Sequence, residues 1–317
     1  MLGACGAHSG EAPPTGDGPQ HAIDAPSNSI DSNTTADAWQ WSTLITNDWS
    51  QASNAPTISC KTMLVQQDMW IDGFRSSAMT EENDHQFLIL TPNSTCPGNN
   101  YLFGENDELL YGAGLGANEV DLPAGTAAHV TPTIMVNGTP QTAFLMLYDH
   151  LDAGTASGAS SIEVHTVEQA SVQHDVDLML AGQGTINMPT EPASSTCIPA
   201  AASSYTVNVV GLWPHMHESG QHVTVSVAGT NILDTDYTYA NEQTYMQSAT
   251  ITSQQNLSVT CTLQSSATLT YNELKPESAG GTLCWTGIYK WPTGSDPVAF
   301  NYGPEECVTY GPEQFHH

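Results

Sequence analysis

The sequence has 317 residues, 33 of them acidic and 4 basic, which gives a formal net charge of −29 at pH 7. A surface this negative repels nucleic-acid phosphates and anionic lipid headgroups, which argues against both as partners. Charged residues are only 12% of the chain while Thr, Ser, Gly, Ala and Asn are abundant, a composition of strands and turns rather than long helices, and no apolar run reaches the roughly 18 residues needed to cross a bilayer.

In chain order, Leu2, Gly3 and Ala4 lead into Cys5. The run resembles a bacterial lipobox, in which the cysteine becomes the lipidated first residue. It implies an exported protein, lipid-anchored through Cys5 at the bacterial periplasm or cell surface, or extracellular; the lipid is then its only tie to a membrane. The basic and apolar signal region is absent, so the sequence reads as trimmed to the lipobox, with His316 and His317 as tag remnants. Residues 6–38 are rich in Pro, Gly, Ser and Asp and poor in large apolar groups, which predicts a disordered tether for 1–38.

From Trp39 onward, short apolar stretches alternate with turn signals. Strands are predicted at 62–66, 87–90, 143–148, 161–165, 205–212, 222–227, 257–263 and 284–291. Many short strands between Gly, Pro, Asn and Asp predict an all-β fold of two tandem antiparallel β-sandwiches, jelly-roll-like, over 39–170 and 171–315. A junction fits within 168–196, beside the Pro- and Ser-rich stretch 185–204, with a long surface loop as the alternative, and a monomer is expected. Beyond Cys5 the chain has Cys60, Cys96, Cys197, Cys261, Cys284 and Cys307. An even number with no CxxC pair points to disulfides in an oxidising compartment, with free buried thiols as the alternative.

The motif with the most chemistry is GLWPHMHESG. Residues i and i+2 of a strand face the same way, so His215 and His217 present two imidazoles side by side, able to reach one metal ion. Pro214 marks a strand end or edge just before them. Two solvated surface histidines are the alternative reading. His85 in NDHQFLIL and His150 in FLMLYDHLDAG sit at the ends of two other apolar strands and form a second candidate pair. His222 is out of phase with the first pair, and His129, His165 and His174 lack a partner at ligand spacing, so all four read as structural or surface residues. No GxSxG elbow, phosphate loop, HExxH or EF-hand pattern is present. The acidic pairs Glu81–Glu82 and Glu305–Glu306 read as solvated faces.

The order of these features resembles the copper type II, ascorbate-dependent monooxygenases, the family of peptidylglycine α-hydroxylating monooxygenase and dopamine β-monooxygenase. The resemblance runs from about Cys60 to Cys307 and rests on LYGAGLGANEVDLPAG, FLMLYDHLDAG, SIEVHTVEQASVQHDVDLML and, most specifically, VVGLWPHMHESG with its flanking cysteines. It implies two β-sandwiches with one copper site each: a main, catalytic site at His215 and His217, and a second at His85 and His150. It also implies pairing of Cys261 with Cys284 and of Cys197 with Cys307, which leaves Cys60 with Cys96.

Three features depart from the family pattern. Leu283 stands where a ligating Met precedes the cysteine, and a leucine cannot coordinate; of the nearby residues Met216 and Glu218, the first points to the opposite strand face. The expected His-His pair is broken, because His85 is flanked by Asp84 and Gln86, which become the candidates for a third ligand. Trp213, with Trp285 and Gly287, replaces the polar residues that hold a peptide carboxylate, so the two tryptophans imply an aromatic platform for some other small molecule or peptide. The resulting expectation is a divergent copper-dependent monooxygenase that hydroxylates a C–H bond with O2, one or two copper ions, and ascorbate or another reductant. Two alternatives stand beside it: a non-catalytic copper-binding surface lipoprotein on the same fold, and a metal-free structural or adhesive module.

Overall fold

Two kinds of strand are distinguished by their burial. Gly154–Thr166 is exposed along its first half and then alternates, with Ser160, Ile162 and Val164 inward, as a strand with one wet face should. Asn83–Thr91, by contrast, is buried at every position, and Phe144–Leu151, Thr206–Met216 and Cys284–Trp291 nearly so. Such strands must be covered on both faces, and the layering explains how.

The computed structural model describes residues 40–53, 57–77, 80, 83–96, 106–117, 119–183, 193–199, 206–252, 255–264, 270–271, 281–293, 300–301 and 307–310. Cys5, Glu81, Glu82, Glu305, Glu306, His316 and His317 lie outside them, as do the side chains of Cys197 and Cys307. The described residues form an all-β structure of several antiparallel sheets, with two short 3-10 turns at Gln169–Ser171 and Tyr239–Asn241.

Four large sheets sort by sequence. Ser42–Ser53, Gly154–Thr166, Met69–Ser77, Thr126–Val130 and His174–Asp175 make one, with Val120–Asp121 at the side of Met69–Ser77; Thr57–Leu64, Phe144–Leu151, Asn83–Thr91 and Glu108–Ala113 make the second. After residue 176, Tyr245–Thr252, Thr206–Met216, Cys284–Trp291, Asp177–Gln183 and Cys307–Tyr310 form the third, and Thr230–Asp236, Gly220–Val227, Leu257–Leu263, Ala193–Pro199 and Phe300–Asn301 the fourth. The second and third sheets are the inner pair. One continuous apolar core joins Phe87, Leu109 and Tyr111 of the second sheet to Leu178, Trp213, Trp285 and Tyr289 of the third. The outer face of each inner sheet's sandwich is closed by its own partner, and Met179, Leu212, Met216 and Ile288 point into a separate core with the fourth sheet. Trp39–His317 is accordingly one compact unit.

Cys60–Cys96 and Cys261–Cys284 are disulfides, as expected of an oxidising, exported environment. The second ties the third and fourth sheets through the strands Cys284–Trp291 and Leu257–Leu263. Loops of 36 and 23 residues correspond to about 3–4 kcal/mol of stabilisation each in the chain-entropy account. No helix of the described residues is long and apolar enough to cross a membrane.

A candidate metal centre between the inner sheets

His85 and His150 are directly opposed across adjacent strands, and their rings lie 5.6 Å apart. The ladder slips at this point: His150 pairs with His85, and Leu151 pairs with Asn83. Asp84 is therefore the extra residue of a β-bulge, and the bulge turns Asp84 and His85 to the same side. Gln86 faces the other way. Its amide donates to Asp149 Oδ1 at 2.6 Å, its oxygen accepts from the Ser76 hydroxyl, and it stands apart from the histidines. Of the two residues expected to supply a third ligand, Asp84 lies at the site and Gln86 does not.

Asp149 anchors this end of the second sheet. Its fully buried carboxylate accepts from Asn47 (2.7 Å), Ser160 (2.8 Å), Asn83 (2.9 Å) and Gln86. Burial pushes the carboxyl above its usual value, and the four donors pull it back. The network pins the strands Ser42–Ser53, Asn83–Thr91 and Gly154–Thr166 to the strand that carries His150.

From the facing sheet come His215, opposite Trp285 near the end of Thr206–Met216, and His217 just past it. The His85 ring lies 4.2 Å from that of His215, nearly perpendicular to it, and 5.9 Å from that of His217, while His215 and His217 are 6.5 Å apart. Where the sequence suggests two separate pairs, the structure gathers His85, His150, His215 and His217 in one place, each only 1–4% exposed.

Two buried carboxylates complete the group. Asp84 Oδ1 lies 2.8 Å from His150 Nδ1, and Glu242 Oε2 lies 3.1 Å from His215 Nδ1. Burial alone would raise both carboxyls, but His85 and His150 hold Asp84 well below its usual range, and His215 holds Glu242 below its own. Two tyrosines fix the remaining oxygens: Tyr239 donates to Asp84 Oδ2 at 2.5 Å and Tyr237 to Glu242 Oε1 at 2.8 Å. Burial and the neighbouring carboxylates push both phenols up, so they stay protonated donors.

Glu242 reaches the centre because the first half makes room for it. Its backbone N–H donates to Leu115 O at 2.6 Å, and Glu242–Gln243 pairs in parallel with Gly116–Ala117. Gly112, Gly114 and Gly116 of LYGAGLGANEV face the second half. A Cβ at 112 would lie 2.4 Å from Trp213, one at 114 would lie 2.2 Å from Glu242, and one at 116 would lie 2.4 Å from Asn241. Gly116 also has φ +104°, which side chains rarely adopt.

The other candidates are placed as follows. Trp213 and Trp285 are 2% exposed; Trp213 stacks on His215 at 4.8 Å and meets Phe87 edge-on. They are walls of the centre and its core, not an open platform for substrate. Leu283 is fully buried in the core between the inner sheets, and Met216 in the core behind them. Glu218 is exposed. His129 stacks on Trp70, His174 on Trp291, His165 meets Asp72 at 2.6 Å, and His222 sits between Asp234 and Asp236.

Sequence reasoning did not single out Glu242, Tyr237, Tyr239 or Asp149. The glycine alternation at 112, 114 and 116 marked a close approach, though it could not name what approaches. No family model matches the chain, and no curated protein is significantly similar to it.

Proposed function

We propose that the protein is a copper-dependent oxidoreductase whose metal is held by His85, His150, His215 and His217. The observation that carries this reading is the convergence of four buried imidazoles from two facing sheets, two of them with Nδ1 against a buried carboxylate. Carboxylate–histidine pairs of this kind hold metal-binding histidines in one tautomer and orientation. Imidazole and carboxylate donors suit Cu(II), zinc, iron or nickel, and the resemblance to copper monooxygenases favours copper. With Leu283 in place of a thioether, the donor set favours Cu(II) over Cu(I).

Bound copper would supply one-electron chemistry and a position for O2. The protein's own part is positional. Asp84 and Glu242 fix the imidazoles, Trp213 backs His215, and the surrounding core keeps water away from them. The reaction to be tested is hydroxylation of a C–H bond of a small molecule or peptide, with ascorbate or another external reductant. We place the protein outside the bacterial cytoplasm, tethered by residues 6–38 and a lipid on Cys5; the disulfides support an oxidising compartment.

A second reading, copper capture without turnover, is favoured by the enclosure of all four histidines. Copper binding and oxygen consumption with ascorbate, measured on the same sample, separate the two. Copper-dependent oxygen consumption with hydroxylated product supports the oxidoreductase. Stoichiometric copper without oxygen consumption supports capture. Failure to bind Cu(I), Cu(II) or Zn(II) leaves a metal-free structural or adhesive module. The double variant His215→Ala, His217→Ala is expected to lose tight copper binding, and full copper retention in it would overturn the site.

A further inference from the structure

We propose that the centre is dinuclear, with His85 bridging two metal ions through its two ring nitrogens; this rests on the metal-binding reading above. His85 is 1% exposed, and neither Nδ1 nor Nε2 has a hydrogen-bond partner. Buried polar groups are almost always satisfied, and His85 has only a carboxylate at ion-pair distance from each nitrogen, so both nitrogens have room for a closer partner.

The two nitrogens face different ends of the site. Nδ1 lies 3.5 Å from Asp84 Oδ1, and Nε2 lies 3.8 Å from Glu242 Oε1. Both separations are too long for good hydrogen bonds. They match the spacing of two donors on one ion at bond lengths of about 2.0–2.2 Å. Two groups of candidate donors result: Asp84, His85 and His150 at one end, and His85, His215 and Glu242 at the other, each with its atoms within 4.8 Å of one another. An ion at either end would replace the hydrogen bond that the carboxylate now makes with His150 or His215, and His217 lies further off, 5.9 Å from His85 ring to ring. His85 is the member common to both.

The lone pairs of an imidazole diverge in the ring plane, so one ion cannot use both nitrogens. A mononuclear centre leaves one of them buried and unsatisfied, whereas two ions satisfy both. On binding the second ion, His85 loses its remaining N–H proton to solvent and becomes an imidazolate, bound to one ion at each nitrogen. The bulge at Asp84 is what lets the first triad form beside a residue that also looks across to the third sheet.

The test is a Cu(II) titration of the metal-free full-length chain, with bound copper counted by elemental analysis and unpaired spins by integrated electron paramagnetic resonance. The expected result is two copper ions per chain with a spin count well below two, because an imidazolate couples the two unpaired electrons antiferromagnetically. His85→Ala should restore one full spin per bound copper; if that variant fails to fold, the wild-type titration decides alone. Two coppers with two full spins overturn the bridge. One copper per chain also overturns it but leaves the metal-binding reading standing, and no bound copper removes both.

Discussion

Asp84 and Glu242 do at the scale of single atoms what the histidines need: each presents one oxygen to an imidazole Nδ1 and the other to a tyrosine hydroxyl. Glu242→Gln keeps the shape and removes the charge. It is expected to lower metal affinity about 10–100-fold, the usual effect of losing a histidine's carboxylate partner, as read by competition against a chelator with the fold checked by circular dichroism. His222 supplies a pH-dependent contrast at the surface. Its hydrogen bonds to Asp236 and Asp234 raise its folded value above 6.5, and the same contact with His222 lowers that of Asp234 below 3.8. The histidine's contribution is complete below 6.5 and disappears as pH rises through the raised value; the aspartate's is complete above 3.8 and disappears as pH falls through the lowered one. The melting temperature of His222→Ala should therefore fall short of the wild type by its largest margin near pH 5, by a small amount given the exposure of the pair, and the gap should close by about pH 9. Among the site residues, the four histidines were legible because HxH and strand-end positions are local patterns. Glu242 was not, since a single Glu in DYTYANEQTY carries no sign of the glycine-lined face it enters.

Register decides which side chains meet at the level of strands. His215 and His217 reach the same place because an extended chain turns residues two apart to one side, and Met216 faces away into the rear core as that rule requires. The bulge at Asp84 is a tertiary feature with no local sequence mark, and it explains why Asp84 joined the site while Gln86 turned away to Asp149. Gly114→Ala would drive a methyl group against Glu242. It is expected to reduce metal uptake while leaving the far-ultraviolet strand signal largely intact, since the damage lies where the halves approach. On the third sheet, Lys290, one of only 4 basic residues, is wholly buried opposite Asp177, Nζ to Oδ1 2.6 Å. Asp177→Ala leaves that charge without its carboxylate and should cost about 3–5 kcal/mol in urea unfolding.

The molecule as a whole is two pairs of sheets sharing an apolar interior, with the candidate metal-ligand residues divided between them. Composition and turn spacing made the all-β class legible, and the even cysteine count made the disulfides so. The facing of the inner sheets was not legible, because strands buried on both sides read simply as apolar runs, and nothing in such a run says which surface covers it. An ion bound by both halves stabilises their docked state. At a free concentration one hundred times its dissociation constant it should add about 2.7 kcal/mol, seen as a rise of several degrees in the melting temperature and reversed by a chelator.

The hydrogen bond from Tyr239 to Asp84 closes a span of 155 residues. A contact of that range has to wait for a long loop to close. A chain emerging into a medium that already contains copper would display His215 and His217 before Glu242 and the first half had met around them. Adding the metal before or after refolding should then give different yields of correctly loaded protein, so the timing of the ion's arrival becomes a variable of biogenesis as well as of chemistry.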